Sequence, residues 1–254
     1  KRHQLLGEGD IRQAEEVFAR VRAEGRRVLL SSEVLEVLAA FGIPGAPTRL
    51  ARTAREAAAI AEEFGYPVAL KIASPDILHK SDIGGVRLGL ADAGAVQRAF
   101  REIVDAAAAH VPDAFLYGVE VQKMLARGHE VFVGGMRDPT FGPLLVVGMG
   151  GVFVNLLEDV AYRLVEPLTE RDVEEIFRET RLYRLLRGFR GEPPADLASL
   201  HRIVARVAEL LRELPDVFEL DLNPVFASPD GAWVVDAKLT LREERGTAPS
   251  PAGE

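Results

Sequence analysis

The stretch Tyr66-Pro67-Val68-Ala69-Leu70-Lys71-Ile72-Ala73-Ser74-Pro75-Asp76-Ile77-Leu78-His79-Lys80-Ser81-Asp82-Ile83-Gly84-Gly85-Val86 decides how this chain is read. An apolar strand, Val68 to Ile72, carries Lys71 inward. A loop with His79, Lys80, Ser81, Asp82, Gly84 and Gly85 follows before the next apolar run opens at Val86. A lysine on a buried strand loses solvation free energy unless an anion meets it. Gly84 and Gly85 have no Cβ to keep a phosphate away from their main-chain N–H groups. Two cations, an imidazole and two glycines on one rim point to phosphate chemistry. The plainer reading is a surface hairpin whose lysines reach into water.

Working outward, 254 residues are natural for two packed lobes. The formal charge is −8, with no basic block and no interleaving of basic and aromatic residues. Nucleic acid is therefore not an expected partner, and any phosphate must be held locally. The longest apolar run, Pro143 to Val154, is broken by three glycines and is too short to span a membrane. No charged, apolar and small-residue segment opens the sequence, so no secretion signal is expected. The absence of cysteine excludes disulfides, thiolate metal sites and cysteine nucleophiles, and fits a cytoplasmic home.

Periodicity predicts an amphipathic helix over residues 11–24 and a second from Glu33 to Ala40, capped by Ser31 or Ser32 and ended by Gly42 and Pro44. Residues 1–47 thus read as a helical arm or connector. Thr48 to Leu50 is a short strand, and Thr53 caps a helix from Ala54 to Phe64 with Glu56 completing a capping box. Strands Val68–Ile72 and Val86–Leu90 and a helix over Ala93–Ala109 complete a small α/β lobe, residues 48–118. Residues 119–241 read as a second lobe. Val119–Met124, Glu130–Arg137 and Leu144–Gly148 are expected there as neighbouring antiparallel strands. Thr169 caps a helix over Glu170–Thr180, and a shorter helix lies around Leu182 to Arg187. Asp196–Leu214 reads as a long amphipathic helix, and Phe218–Leu222 and Trp233–Ala237 as closing strands. Residues 242–254 show no periodicity and read as a disordered tail. The expected class is α+β, with a small α/β lobe and a larger lobe on a mainly antiparallel sheet.

Neither a Gly-x-x-x-x-Gly-Lys-Ser/Thr loop nor a Gly-x-Gly-x-x-Gly turn after a strand is present, so a nucleotide would need another solution. In Glu219-Leu220-Asp221-Leu222-Asn223-Pro224, alternation puts Glu219, Asp221 and Asn223 on one face and the leucines on the other. Asp236 is expected on the next strand. Asn223 and Asp236 together suit Mg²⁺, which takes one or two protein oxygens and completes its shell with water and phosphate. The plainer reading is an edge strand with solvated acids. Gln122 and Met124, on a strand between the lobes, could meet a nucleotide base, and Glu130 the ribose hydroxyls. An exposed charged hairpin would read the same.

The segments Tyr-Pro-Val-Ala-Leu-Lys at 66–71, His-Lys-Ser-Asp-Ile-Gly-Gly-Val at 79–86, Asp-Pro-Thr-Phe-Gly-Pro at 138–143, Gly-Met-Gly-Gly-Val at 148–152 and Asp-Leu-Asn-Pro at 221–224 occur in order. In these the chain, from about Ser31 to Leu241, resembles the ATP-grasp domain of the ADP-forming acyl-CoA synthetase family. The resemblance implies two lobes clamping ATP or ADP, with Lys71 on the phosphates and the loop bearing Gly84 and Gly85 closing over them. It places Gln122 and the Met124 backbone at adenine, Glu130 at ribose, and Mg²⁺ on Asn223 and Asp236. It makes His79 a phosphoryl-carrying histidine, with Lys71 and Lys80 offsetting charge on the group in transfer. It further implies a CoA-binding alpha subunit or fused domain as partner, handling CoA and a small carboxylic acid in a hetero-oligomer. The family usually shows Val-Glu after the glycines, where Val154 is here followed by Asn155, with Glu158 the nearby carboxylate. Two other readings stay open: a ligase forming an acyl phosphate within this chain, and an ATP-binding regulatory module fused to another enzyme.

Overall fold

The computed structural model describes residues 8–77, 79–151 and 159–243. The first half runs α1 Glu8–Ala23, α2 Ser31–Ala40, β1 Thr48–Ala51, α3 Ala54–Phe64, β2 Val68–Ala73, β3 Val86–Leu90, α4 Ala93–His110 and β4 Gly118–Lys123. The second runs β5 His129–Asp138, β6 Gly142–Met149, β7 Val160–Leu164, α5 Glu170–Arg178, α6 Leu182–Leu186, α7 Leu197–Glu213, β8 Val217–Ser228, β9 Gly231–Val234 and β10 Ala237–Leu241. Two antiparallel sheets result, one of four strands in the order β1-β4-β2-β3 and one of six in the order β10-β8-β5-β6-β7 with β9 also on β8. The chain is α+β with two lobes.

Each sheet is covered by helices whose apolar stripes supply its core. In the small lobe Ala57, Ile60 and Ala61 of α3 and Val96, Phe100 and Ile103 of α4 cover Leu70, Ile72, Val119 and Val121. Thr53 caps α3 by accepting from the Glu56 N–H, and Asp92 caps α4 by accepting from Ala95. In the large lobe α7 places Val204, Val207 and Leu211 against Val133, Leu145 and Leu220. Thr169 and Asp196 cap α5 and α7 through the N–H groups of Asp172 and Ser199.

Three expectations change. β4, read as a neighbour of β5 in the second lobe, pairs with β1 and β2 in the small sheet, with Gln122 opposite Thr48 and Lys71 opposite Glu120. Alternation alone does not say which sheet a strand joins. The helical arm packs on the main body, with Val17, Val34, Leu38 and Phe41 fully buried in the large-lobe core. Its second helix is preceded by Leu30, not capped by a serine side chain; the Glu33 carboxylate accepts from the Leu30 N–H at 2.7 Å. Finally, Asp236 is not within a strand. The long β8 pairs with β9 along Val225–Ser228 and with β10 along Val217–Leu222, and Val235 and Asp236 form the break between them. Among the described residues no helix is long and apolar enough to cross a membrane. Asn155 and Glu158 lie outside the described residues, as does the tail from residue 244.

Candidate functional site

β2 is buried along its whole length, yet its fourth residue is Lys71, only 8 % exposed. Cross-strand partners share a face, so Lys71 and Glu120, and Ala69 and Gln122, look the same way. That face of the small sheet is polar and covered, because it turns toward the large lobe rather than toward α3 and α4. Between the lobes lies a cleft of about 620 Å³, lined by Lys71, His79, Lys80, Asp221, Asn223 and Asp236 among others. Residues far apart in sequence and drawn from both sheets therefore share one cavity.

The charges inside it are arranged in a chain. Lys71 Nζ stands 4.0 Å from Asp236 Oδ2, while Asp236 Oδ1 accepts from Ser31 Oγ at 3.1 Å and from the Ala237 N–H at 3.0 Å. Lys80 Nζ donates to Ser31 Oγ at 3.4 Å and lies 3.9 Å from Glu120 Oε2. Glu120 is fully buried and its Oε1 accepts from the Ser32 N–H at 2.7 Å, at the first turn of α2. Asn223 is tied to Asp236 by its own N–H, which donates to the Asp236 carbonyl at 3.0 Å. Its side-chain Oδ1 accepts from the Gly151 N–H at 2.7 Å. His79 is exposed on the rim, and its carbonyl accepts from Asp82.

Asp221 is the carboxyl most perturbed by its setting. Burial pushes its pKa up to about 6, helped by the negative charges of Glu219 and Asp236 and opposed by Lys238, which pairs with it across β10. Its Oδ1 is buried and has no hydrogen-bond partner among the described residues. An orphaned carboxylate oxygen beside Asn223 and Asp236 in one cleft is the kind of hard-oxygen set that a divalent cation completes. Among the described residues no group of three or more His, Cys, Asp or Glu could hold a metal by itself. Two or three protein oxygens suit Mg²⁺, which keeps most of its shell for water and phosphate.

The other expected residues are placed differently. Gln122 is buried, and its Nε2 donates to Thr48 Oγ1 at 2.9 Å and to the Val235 carbonyl at 2.8 Å, beside the cleft wall. Met124 Sδ accepts from the Gly89 N–H at 3.1 Å, at the β3 edge. Glu130 leans on Gly151, where an added Cβ would collide with its carboxylate, and so sits near Asn223. Gly84 and Gly85 are not open donors. Their N–H groups donate to the Ser81 and Lys80 carbonyls at 3.2 and 2.7 Å and close a turn, with Gly84 at φ +71°. A Cβ at Gly85 would come within 2.7 Å of Ile72 Cγ2 and 2.8 Å of the Lys80 carbonyl. These glycines shape the loop that presents His79 and Lys80. Ser31 reads in sequence only as a possible helix cap, and Glu120 and Asp221 carry no site assignment there. The alternation that placed Asp221 beside Asn223 was the available signal for it, whereas nothing local marks Ser31 or Glu120.

A family model described as an ATP-grasp domain matches residues 20–241. The chain belongs to the ATP-grasp family. Within that family it is 43 % identical over 231 residues to the Acetate--CoA ligase [ADP-forming] I subunit beta of Pyrococcus furiosus, covering 91 % of this chain and 99 % of that protein. It is 46 % identical to the Acetate--CoA ligase [ADP-forming] I of Archaeoglobus fulgidus, again over 91 % of this chain. Here the ATP-grasp chain spans only 33 % of the relative's length. Solved structures of the dinucleotide-forming acetyl-coenzyme A synthetase 1 of Ca. Korarchaeum cryptofilum also match. The complex with coenzyme A and Ca-AMPCP gives a TM-score of 0.87 at 40 % identity, covering 90 % of this chain and 100 % of that one. The complex with coenzyme A and Mg-AMPPCP, its phosphohistidine segment pointing towards the nucleotide binding site, gives 0.80 at 38 % identity with the same coverage.

Proposed function

We propose that this chain is the nucleotide-binding part of an ADP-forming acyl-CoA synthetase, exchanging a phosphoryl group between ATP and His79. The observation that carries this is the interlobe cleft shared by Lys71, His79, Lys80, Asn223 and Asp236. Lys71 and Lys80 bring ammonium groups to a triphosphate, and the Glu120 and Asp236 carboxylates hold those cations in place beforehand. In transfer, a ring-nitrogen lone pair of His79 forms a bond to the γ-phosphorus, and the bond to the β,γ-bridging oxygen breaks with its electron pair leaving on ADP. The resulting phosphoramidate is energetic enough to return the group to ADP. Mg²⁺ held by Asn223 and Asp236 would neutralise phosphate charge as the group moves. A companion subunit or fused domain would bind CoA and a small carboxylic acid such as acetate, and take the phosphoryl group onward. The named relatives, one a beta subunit and one about three times longer than this chain, support that division of labour.

The test is to mix the purified chain with γ-labelled ATP and Mg²⁺. Acid-labile, base-stable label is expected on the wild type and none on His79→Ala. Full labelling of His79→Ala, or an unlabelled wild type that nevertheless binds ATP, would refute the assignment.

A further inference from the structure

Away from the cleft, five arginines recur at three-residue spacing from the end of α5 through α6 and the loop after it: Arg178, Arg181, Arg184, Arg187 and Arg190. In a chain of charge −8 this is a local concentration of positive charge, and with Tyr183 and Phe189 between the arginines it is the one place where the reading of no basic block and no basic–aromatic interleaving does not hold. All five are exposed. Arg178 pairs with Glu174 at 3.9 Å, but among the described residues the other four have no carboxylate partner. The nearest acids are engaged elsewhere, Glu179 with Arg163 and Glu192 with His129 at 4.0 Å. Two guanidinium groups lie instead over aromatic rings, Arg187 on Tyr183 at 5.8 Å and Arg190 on Phe189 at 5.2 Å. Phe189 itself is 50 % exposed.

The backbone holds these side chains outward. Arg190 has φ +53°, in the left-handed region that an arginine seldom adopts, between Gly188 at +88° and Gly191 at +89°. A Cβ at Gly188 would collide with the Glu192 carbonyl. The loop is closed by hydrogen bonds from Gly188 to Leu185 at 3.0 Å, Glu192 to Phe189 at 3.2 Å and Ala195 to Leu186 at 2.8 Å. A conformation disfavoured by its residue type, yet fixed by its neighbours, is a mark of function rather than of packing. The Asp159 carboxylate accepts from the N–H groups of Arg181 and Leu182 at 2.7 and 2.9 Å. Its carbonyl accepts from Met149, the residue before Gly150 and Gly151. α6 is thus fastened to the end of β6 that leads to the Asn223 side of the cleft.

We propose that this arginine–phenylalanine loop is the docking surface for the companion subunit or domain, which meets it with an acidic face bearing an apolar notch for Phe189. The inference rests on the proposed function in requiring such a companion. Arginine and aromatic side chains are the groups that dominate protein interfaces, and a rigid loop loses little entropy on docking. From Arg181 to Arg187 the row extends about 9 Å along the chain at ~1.5 Å per residue. That length matches an extended acidic surface better than one phosphate.

The experiment measures binding of the full chain to the CoA-binding companion expressed with it, and ATP labelling of the chain alone. Arg187→Glu/Arg190→Glu and Phe189→Ala should each weaken association about tenfold or more, and wild-type binding should weaken as salt rises. ATP labelling and thermal melting should not change. Arg190→Gly removes a cation while suiting the left-handed backbone, so its weakened association could not come from misfolding. Undiminished association of these variants would overturn the proposal. So would loss of binding to free CoA by the chain alone in the same variants, which would make the patch a small-anion site. Failure of ATP labelling, with association still sensitive to the loop, would instead count against the phosphoryl-transfer reading.

Discussion

Replacing Asp221 with asparagine should stabilise the protein at pH 8 and leave it no more stable at pH 4. The reason is the cost of charging a carboxyl that the fold removes from water. In the unfolded chain it titrates near 3.8, and burial carries it to about 6 in the folded chain. Where a folded-state acid pKa lies above the unfolded value, stability is fully present below 3.8 and declines as pH rises to about 6. At ~1.36 kcal/mol per pH unit the two values differ by about 3 kcal/mol. That is a large share of the ~5–15 kcal/mol by which a domain is usually stable. Asparagine keeps the shape and removes the ionisation. Urea unfolding followed by the fluorescence of Trp233, the single tryptophan, would supply the curves. The advantage of Asp221→Asn should grow from near zero at pH 4 to about 3 kcal/mol at pH 8, with the denaturant slope unchanged. A difference that stays flat with pH, or a variant weaker than wild type at pH 8, would refute the reasoning.

Glu120→Ala should lower stability by about 3 kcal/mol, because it strands the Ser32 N–H and leaves Lys80 without its buried counter-charge. Glu120→Gln, which still accepts from Ser32, should lose less; equal losses in thermal melting would show that the ion pair and not the hydrogen bond dominates. Burial disfavours the charged form of His201 on α7, against the pull of Glu174 and with the help of Arg178, and its Nε2 has no partner among the described residues. Its pKa is lowered, so stability is lost as pH falls below 6.5, and His201→Phe, beside Phe177, should flatten that acid limb in a melting series. A limb unchanged in the variant would assign the loss to other groups.

Much of this fold is legible in the sequence wherever the signal is local. Val86–Leu90 is the strand expected, α4 extends one residue beyond its expected end, and the caps at Thr53, Thr169 and Asp196 lie where their residue types say. Lys71 in an apolar strand and Asn223 beside a leucine alternation could be picked out because each breaks a local pattern. What was not legible depends on distant partners. The strand β7 at Val160–Leu164 carries Tyr162 and Arg163 in its middle and gives little apolar alternation. The membership of β4 in the small sheet is decided by β1 and β2, not by its own residues. Nothing in the sequence around Glu120 marks it as buried, since only the approach of α2 to the small sheet covers it.

The two apolar cores have no residue in common, one built on the small sheet and the other on the large sheet with α1 and α2. The bonds from one body to the other are polar: Tyr117 to Glu24, Ser32 to Glu120, Gln122 to Val235 and Lys80 to Ser31. Each such bond is worth only about 1–3 kcal/mol net, because water can replace either partner. Swinging one body away from the other would therefore wet hydrogen-bonding groups without exposing either oily interior. A ligand as large as a nucleotide could enter, and leave again, through thermal motion alone.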